Sequence, residues 1–504
     1  GQDSEGNIER TDVTARNLTL ELSSSVNLEL TDDLASVTTV GGQWIRESSD
    51  GTYSEGLTFP AGTPSVGSSV VNEGADQFEE TRTLGGFVQQ QFSWKDRIFV
   101  TPGIRLDDNS AFGGNLGVQD LKKINGSWVL SEEPWFPDVF NSLRLRAAWG
   151  ESSKLPGTNN ALSLLAPVPA VRNGSEVLGV LPDRPGNADL RPETSEEFEL
   201  GFDLSAANDR VGLEFTYYDN KTTDAVVARN LAPSTGFPNQ QFTNVGEIVN
   251  SGIEATLNLQ AVDRRNLSWS WNVNFSTNDN TVTRLPEPII VDFGNDSNAG
   301  QRIQEGFSFG AYMWRPVSLG PDGSVVVGDT LEEIGQPTPA WEGLVGTSLR
   351  LFDHVRFYGS VDFKGGFETM YNTASFTCNL LGGGAYGGTC PDLFYKNPDG
   401  TPTDQARIKQ RAAALGNEAP WVESSGFAKL RTLSLRFDLP ESWVDAFGAA
   451  GGALTFTGSN LATWDSFTGP DPEVNEFGDE TVGRSVFLTE PQSRRFTTSL
   501  QLSF

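Results

Sequence analysis

The sequence predicts an all-β protein, an antiparallel transmembrane β-barrel with short turns at one end and long loops at the other. Three observations carry that reading. Strict period-two alternation persists over membrane lengths: Phe198, Leu200, Phe202 and Leu204 alternate with Glu197, Glu199, Gly201 and Asp203, and after Ala206-Ala207-Asn208-Asp209 the pattern resumes in Val211, Leu213, Phe215 and Tyr217. Such strands set one face against something apolar and the other against something wet. Strands of soluble sandwiches usually last about five or six residues, whereas a tilted strand crossing a bilayer needs roughly nine to eleven. Composition agrees, with 54 Gly, 32 Phe and 12 Trp but only 2 Met, as in a turn-rich aromatic β chain. A hydrophobic fraction of 37% is low for a globular core and suits a wall with a polar interior and lipid-facing apolar atoms. Finally, short polar turns alternate with long Gly/Asn/Asp-rich loops, an asymmetry foreign to a sandwich, whose two ends have similar connections.

Charge removes one class of partner. Lys plus Arg number 36 against 66 Asp plus Glu, a formal net of -30 with no basic cluster, so nucleic acid is not expected. No run of about eighteen apolar residues exists, which excludes transmembrane helices but not strands. The chain opens on Gly1 with no visible signal peptide, so the N-terminus is read as removed or the chain as a fragment.

Residues 1–16 are polar and lack periodicity. Leu18, Leu20 and Leu22 lead through Val26, Leu28 and Leu30 to a Thr31-Asp32-Asp33 turn and a return strand through Val37, Thr39 and Ile45. Residues 48–77, rich in Ser, Gly and Glu, predict an extracellular loop. A second hairpin spans 84–106, with Val88, Phe92 and Trp94 before a Lys95-Asp96 turn and Ile98, Val100, Ile104 and Leu106 after it. Weaker strands follow at 127–130 and 143–150, then a Pro/Gly/Asn-rich loop at 151–193. Beyond the hairpin that opens on Phe198, Ile253, Ala255, Leu257 and Leu259 turn at Asp263-Arg264-Arg265 into Leu267, Trp269, Trp271, Val273 and Phe275, with Ser268, Ser270, Asn272 and Asn274 on the opposite face. Residues 278–341 show no membrane-length pattern; 345–352 and 355–363 form another hairpin around Asp353-His354. The longest loop, 365–425, holds a helical stretch at 404–415, and closing strands follow at 427–439, 454–461 and 495–504.

Cys378 and Cys390 are the only cysteines, close in sequence, in a Gly-rich loop with no neighbouring His. That is a poor metal site and a good local disulfide, implying an oxidising compartment. No cofactor is predicted. Glu79 with Glu80, Glu332 with Glu333, and Asp471 with Glu473 are candidate loop calcium ligands, but none has EF-hand spacing and a solvated acidic loop is the plainer reading. The sole histidine, His354, sits in a turn, and no catalytic elbow, zinc or phosphate-loop motif is present; no enzyme is predicted.

Several segments together resemble a known family. In order they are Asp96-Arg97 with Arg105-Leu106-Asp107 and Phe112-Gly113-Gly114-Asn115; Leu143-Arg144-Leu145-Arg146 with Trp149-Gly150; Asp189-Leu190-Arg191-Pro192-Glu193-Thr194; and Thr216-Tyr217-Tyr218-Asp219. Then come Asn244-Val245-Gly246-Glu247-Ile248 with Gly252-Ile253-Glu254, and Phe427-Ala428-Lys429-Leu430-Arg431-Thr432-Leu433-Ser434-Leu435. Ser459-Asn460-Leu461 and Thr468-Gly469-Pro470-Asp471-Pro472-Glu473 complete the set. Together they resemble the C-terminal barrel of SusC/RagA-type TonB-dependent outer-membrane transporters. The resemblance implies a barrel of about 22 strands closed by an N-terminal plug, powered through TonB, lidded by a SusD-type surface lipoprotein, and importing oligosaccharides or peptides across the bacterial outer membrane. Only about 15 strands are counted, an odd number where an even one is expected. Residues 1–504 are therefore read as the C-terminal portion of such a barrel, truncated, with plug and first strands absent.

Candidate cargo contacts are aromatics in the segments placed outside: Tyr312, Trp314, Tyr371, Tyr386 and Trp421. Sugar rings and peptides both stack on such faces; loop packing, a membrane-edge girdle or lid contact would explain the same residues. Trp94, Trp149, Trp269, Trp443 and Trp464, nearer strand ends, read as girdle. The terminal alternation through Phe496, Leu500, Leu502 and Phe504 resembles the assembly signal of outer-membrane barrels. Rival readings are a passive porin of about 16 strands and a secreted all-β carbohydrate-binding or hydrolytic protein. Water solubility without detergent would single out the latter.

Overall fold

The computed structural model describes residues 7–58, 65–111, 117–137, 139–229, 231–238, 241–286, 288–292, 300–378, 395–478 and 483–504. The long strands are, in chain order, β1 Asn7–Thr31, β2 Leu34–Leu57, β3 Val71–Trp94, β4 Ile98–Asn109, β5 Gln119–Val129, β6 Phe140–Lys154, β7 Glu193–Ala206 and β8 Val211–Arg229. They continue as β9 Gln241–Arg264, β10 Leu267–Thr277, β11 Trp341–Leu351, β12 Val355–Gly365, β13 Phe427–Asp438, β14 Gly451–Asp465 and β15 Arg495–Ser503. The fold class is the predicted one, all-β and antiparallel, of the transmembrane barrel type. Two compact units divide the chain, one of residues 1–126, 148–196 and 223–245, the other of residues 127–147, 197–222 and 246–504.

In the first unit, β1 to β4 pair in sequence order. β1 and β2 stay in register from Asn7 opposite Leu57 to Glu29 opposite Ala35 and shift before Thr31 meets Leu34, and β2 continues against β3 from Leu57 opposite Val71 to Leu34 opposite Trp94. These strands overrun the sequence reading at both flanks. Residues 7–16, read as polar and aperiodic, and most of 48–77, read as loop, are strand. Alternation signals only a strand with one apolar face; where both faces meet water the ladder needs no stripe. Next to these flanks the ladder already carries polar pairs: Glu80 accepts from Arg46 of the neighbouring strand at 2.8 Å and from Arg82 of its own at 2.7 Å. The loop at 151–193 likewise contains a hairpin, Leu164–Arg172 with Ser175–Arg184.

In the second unit, β7 to β15 also follow sequence order. Their tight connections use left-handed residues, with φ of 56°, 58° and 60° at Ala207, Asn208 and Asp209 and of 50° and 59° at Phe352 and Asp353. Consecutive positive φ values match the twist of paired strands. His354 closes the second of these turns. The predicted helix is Asp404–Leu415, capped at its start by Thr403 Oγ1, which accepts from Ala406 N at 3.2 Å, and ended by Gly416 at φ 63°. The described residues of 278–340 carry only short strands, among them Gly300–Ile303, Ala311–Trp314 and Glu332–Gly335.

Candidate functional site

Strand register assigns the two faces of the second unit's sheet. Asn274, Leu344, Asp362, Lys429 and Thr463 lie side by side across β10 to β14. Phe275, Gly343, Phe363, Ala428 and Trp464 form the adjacent row on the opposite face. A Cβ on Gly343 would sit 2.6 Å from the Phe363 ring, so glycine there lets the aromatic lie flat across the strand. The apolar face is left bare of protein: Leu200, Trp269 and Trp464 are 52%, 38% and 57% exposed. Trp94 and Trp443 are exposed as well, in keeping with a girdle.

The polar face carries an ion cluster. The Lys429 ammonium lies 2.6 Å from Asp471 and 2.8 Å from Glu473, and Arg431 lies 2.7 Å from Asp362 while also pairing with Glu473. Two residues apart on β13, both cations share that face by strand alternation. The β13–β14 ladder shifts register beside Arg431, between Leu430 and Thr432, a bulge at the cluster. Asn460, left-handed at φ 53°, then accepts from Arg431 at 3.3 Å. Asp362 comes from β12, and the other two acidic partners, Asp471 and Glu473, from residues 466–478. Asp471 also accepts the backbone N–H of Glu473 at 3.0 Å and of Gln492 at 3.3 Å. Burial pushes the Glu473 carboxyl up, but Arg431 and Lys429 more than offset it and hold it below its ordinary range. Asp471 and Glu473, weighed as calcium ligands from the sequence, are thus engaged by protein cations.

Beside this cluster lies a cavity of about 700 Å³. Glu254, Ser276, Glu342 and Lys364 of the polar face line one side, and Glu473, Val474, Asn475 and Gly478 line the other. Glu342 and Lys364 pair at 2.7 Å.

The loops form a small core of their own. Tyr312, Trp314 and Trp421 are 0%, 2% and 0% exposed and cluster with Met370, Cys378, Ala412 and Ala419. Tyr312 hydroxyl donates to the Arg484 carbonyl and accepts the Met370 N–H at 3.4 Å; burial pushes its acidity far down. Arg484 in turn donates to Thr369 at 2.8 Å and to the Pro472 carbonyl at 3.0 Å. The expectation that Tyr312, Trp314 and Trp421 offer their rings to cargo is therefore corrected: a side chain with no exposed surface has no face to stack. Large aromatics in a long loop are what a loop needs to bury if it is to hold a shape. Tyr371 is half-buried, its ring 5.4 Å from that of Phe467. Tyr386 and Cys390 lie outside the described residues; Cys378 is 1% exposed. Phe496 and Leu500 of β15 and Phe504 just after it are 77%, 62% and 86% exposed, and Leu502 lies on the same side of the strand as Phe496 and Leu500.

The first unit couples two of the segments singled out in the sequence. Asn244 accepts the Arg191 N–H at 2.8 Å and donates to the carbonyls of Arg191 and Asp224, each at 2.8 Å, while Leu190 is fully buried. The second unit does the same for the segments around Lys429 and Asp471. Sequence reasoning found these segments without seeing their purpose. The available signal was charge spacing: two cations two residues apart, Lys429 and Arg431, and two carboxylates two residues apart, Asp471 and Glu473.

Known proteins share this architecture. Over 477 residues the chain is 26% identical to TonB-dependent receptor P3 of Formosa agariphila, covering 87% of this chain and 47% of that protein. Over 457 residues it is 21% identical to TonB-dependent receptor SusC of Bacteroides thetaiotaomicron, covering 83% and 43%. The structure of the RagAB peptide importer in the closed-closed state superimposes with a TM-score of 0.81 at 19% identity, over 98% of this chain and 56% of that one. The chain thus spans about half the length of the relatives it matches. The family is one of receptors and transporters, not of enzymes. Residues 2–461 match the family model described as TonB dependent receptor-like, beta-barrel, and the chain belongs to that family, as a SusC/RagA-like outer-membrane protein.

Proposed function

We propose that this chain forms the channel wall of an active outer-membrane importer that takes up oligosaccharides or peptides. One observation carries the reading: a sheet with a bare apolar face and a charged polar face, the latter overlain by chain that leaves a cavity of about 700 Å³. That volume falls within the range of sites for molecules of a few rings or residues. Energy would come through TonB.

A SusD-like surface lipoprotein is the proposed lid. Support comes from the hairpin Leu164–Arg172/Ser175–Arg184, where Leu165, Val171, Leu178 and Val180 are 58%, 74%, 79% and 60% exposed on a two-stranded sheet. An isolated hairpin is marginal in water, and an exposed apolar face of this kind marks a contact surface. Cys378 and Cys390 are proposed to staple their loop, and Phe496, Leu500 and Leu502 of β15 with the following Phe504 to serve as the assembly signal. Tyr371 and Tyr386 are the aromatics retained as proposed cargo contacts.

The test is uptake of labelled oligosaccharides and, separately, labelled peptides by cells carrying the whole gene, with and without TonB. TonB-dependent uptake of either supports the importer. Uptake that persists without TonB would instead mark a passive pore.

A further inference from the structure

We propose that residues 466–478 are a gate on the polar face, latched shut by the ion cluster of Lys429, Arg431 and Asp362 with Asp471 and Glu473, and that ligand reaches the cavity beneath only when this latch opens. The inference rests on the importer reading, since a gate has meaning only in a passage.

The attachment of this strap differs along its length. At its start Phe467, 6% exposed, packs its ring 5.4 Å from Tyr371, an apolar anchor that ion-pair chemistry does not touch. Further along, Asn475 accepts the Ser485 N–H at 3.1 Å and donates to the Gly483 carbonyl at 2.9 Å. Between these points Thr468 N–H donates to Glu423 at 3.0 Å and Arg484 to the Pro472 carbonyl at 3.0 Å, while the contact with β13 is made through charge: Asp471 and Glu473 on one side, Lys429 and Arg431 on the other. Lys429 is 2% exposed and Asp471 6%, so the pair is shielded from water. A shielded pair of this kind adds little net stability, because desolvation offsets most of the attraction. Removing one partner, however, leaves the other charge stranded, which is strongly unfavourable. That asymmetry gives a contact that holds in one arrangement and fails sharply when disturbed, unlike gradual apolar packing.

The strap is also half of the cavity. Glu473 belongs both to the latch and to the lining, alongside Val474, Asn475 and Gly478, opposite Glu254, Ser276, Glu342 and Lys364. A ligand that enters must therefore touch the residue that keeps the strap closed, which couples occupancy to opening.

The experiment uses the full gene product in the outer membrane of intact cells, with Ser276→Cys as a reporter beneath the strap and a membrane-impermeant maleimide as the probe. Lys429→Met and Glu473→Gln should each speed labelling of the reporter by roughly tenfold or more, the scale of a contact whose loss shifts a local opening equilibrium. Lys429→Arg, which keeps the charge that faces Asp471 and Glu473, should hold labelling to within about threefold of the starting rate. Heat-modifiable migration in gels reports that each variant is folded; Asp471→Asn, which keeps volume, is read if Lys429→Met does not fold. Unchanged labelling in folded latch variants overturns the gate, and so does a Lys429→Arg variant labelled as fast as Lys429→Met. Labelling and TonB-dependent uptake are separate readouts: uptake with insensitive labelling removes the gate alone, and latch-sensitive labelling without uptake removes the importer reading while leaving the latch.

Discussion

The strand wall and the loop core of the second unit are made stable in opposite ways. In the wall, Leu200, Trp269 and Trp464 remain between 38% and 57% exposed, and order comes from the hydrogen-bonded ladder with lipid as the apolar solvent. In the loop core, Tyr312, Trp314 and Trp421 are at most 2% exposed and pack on one another, as in a water-soluble domain. The difference teaches that aromatic content alone does not locate function. In the wall an aromatic is a membrane contact, and in the loops it is the price of holding a shape.

The sharpest way to break this comparison is Trp421→Ala. Emptying a fully buried indole site should destabilise the loop core by about 3–5 kcal/mol, read as faster limited proteolysis of residues 300–424, with heat-modifiable migration of the strands unchanged. If strands and loops fail together, the two regions are one cooperative body. Next is Val273→Arg on the apolar face of β10, expected to cost about 2–4 kcal/mol near the bilayer midplane in urea titrations of the lipid-inserted protein. Asn272→Arg, on the polar face, should cost far less; equal costs would invert the assignment of faces. Tyr312→Phe keeps the ring but removes the hydroxyl that joins Arg484 and Met370, for about 1–3 kcal/mol in the proteolysis assay.

The smallest expected effect is pH-dependent. Burial, with the nearby Glu333, pushes the Glu368 carboxyl up, against the opposing 2.9 Å bond from Gln336 N–H. Because the folded value lies above the unfolded one, Glu368 favours the fold while protonated, and that contribution fades as pH rises through its raised range. Glu368→Gln should flatten the pH dependence of loop proteolysis above about pH 4.3, the unperturbed Glu value. A slope unchanged in the variant would assign it to another group.

The wall was largely legible because alternation is a local signal. The run from Leu267 to Phe275 reads correctly residue by residue, and the helix at Asp404–Leu415 shows its Thr403 cap and Gly416 stop in the sequence itself. The flanks of β1 to β3 were not legible, because Asn7–Arg16 and Val71–Gln77 lack the apolar stripe that only lipid imposes. The cargo aromatics were misread for a related reason. Trp314 and Trp421 are more than a hundred residues apart in sequence, and only the fold brings them into one cluster. The latch joins Lys429 to Asp471 across 42 residues, a distance over which charge spacing suggests a partner without naming it.

The length of β1 to β3 has a mechanical consequence. At about 3.4 Å per residue, a 25-residue strand extends roughly 85 Å, or about 60 Å of height at a tilt of about 45°. The hydrocarbon layer is about 30 Å thick. Rooted at the Asp32-Asp33 turn, this ladder stands as a stiff mast whose upper half clears the bilayer by about the layer's own thickness. Bulky reagents that cannot approach the lipid surface would still meet Leu57, Thr58 and Val71 at its tip, which makes that tip a natural handle for capturing the protein on whole cells.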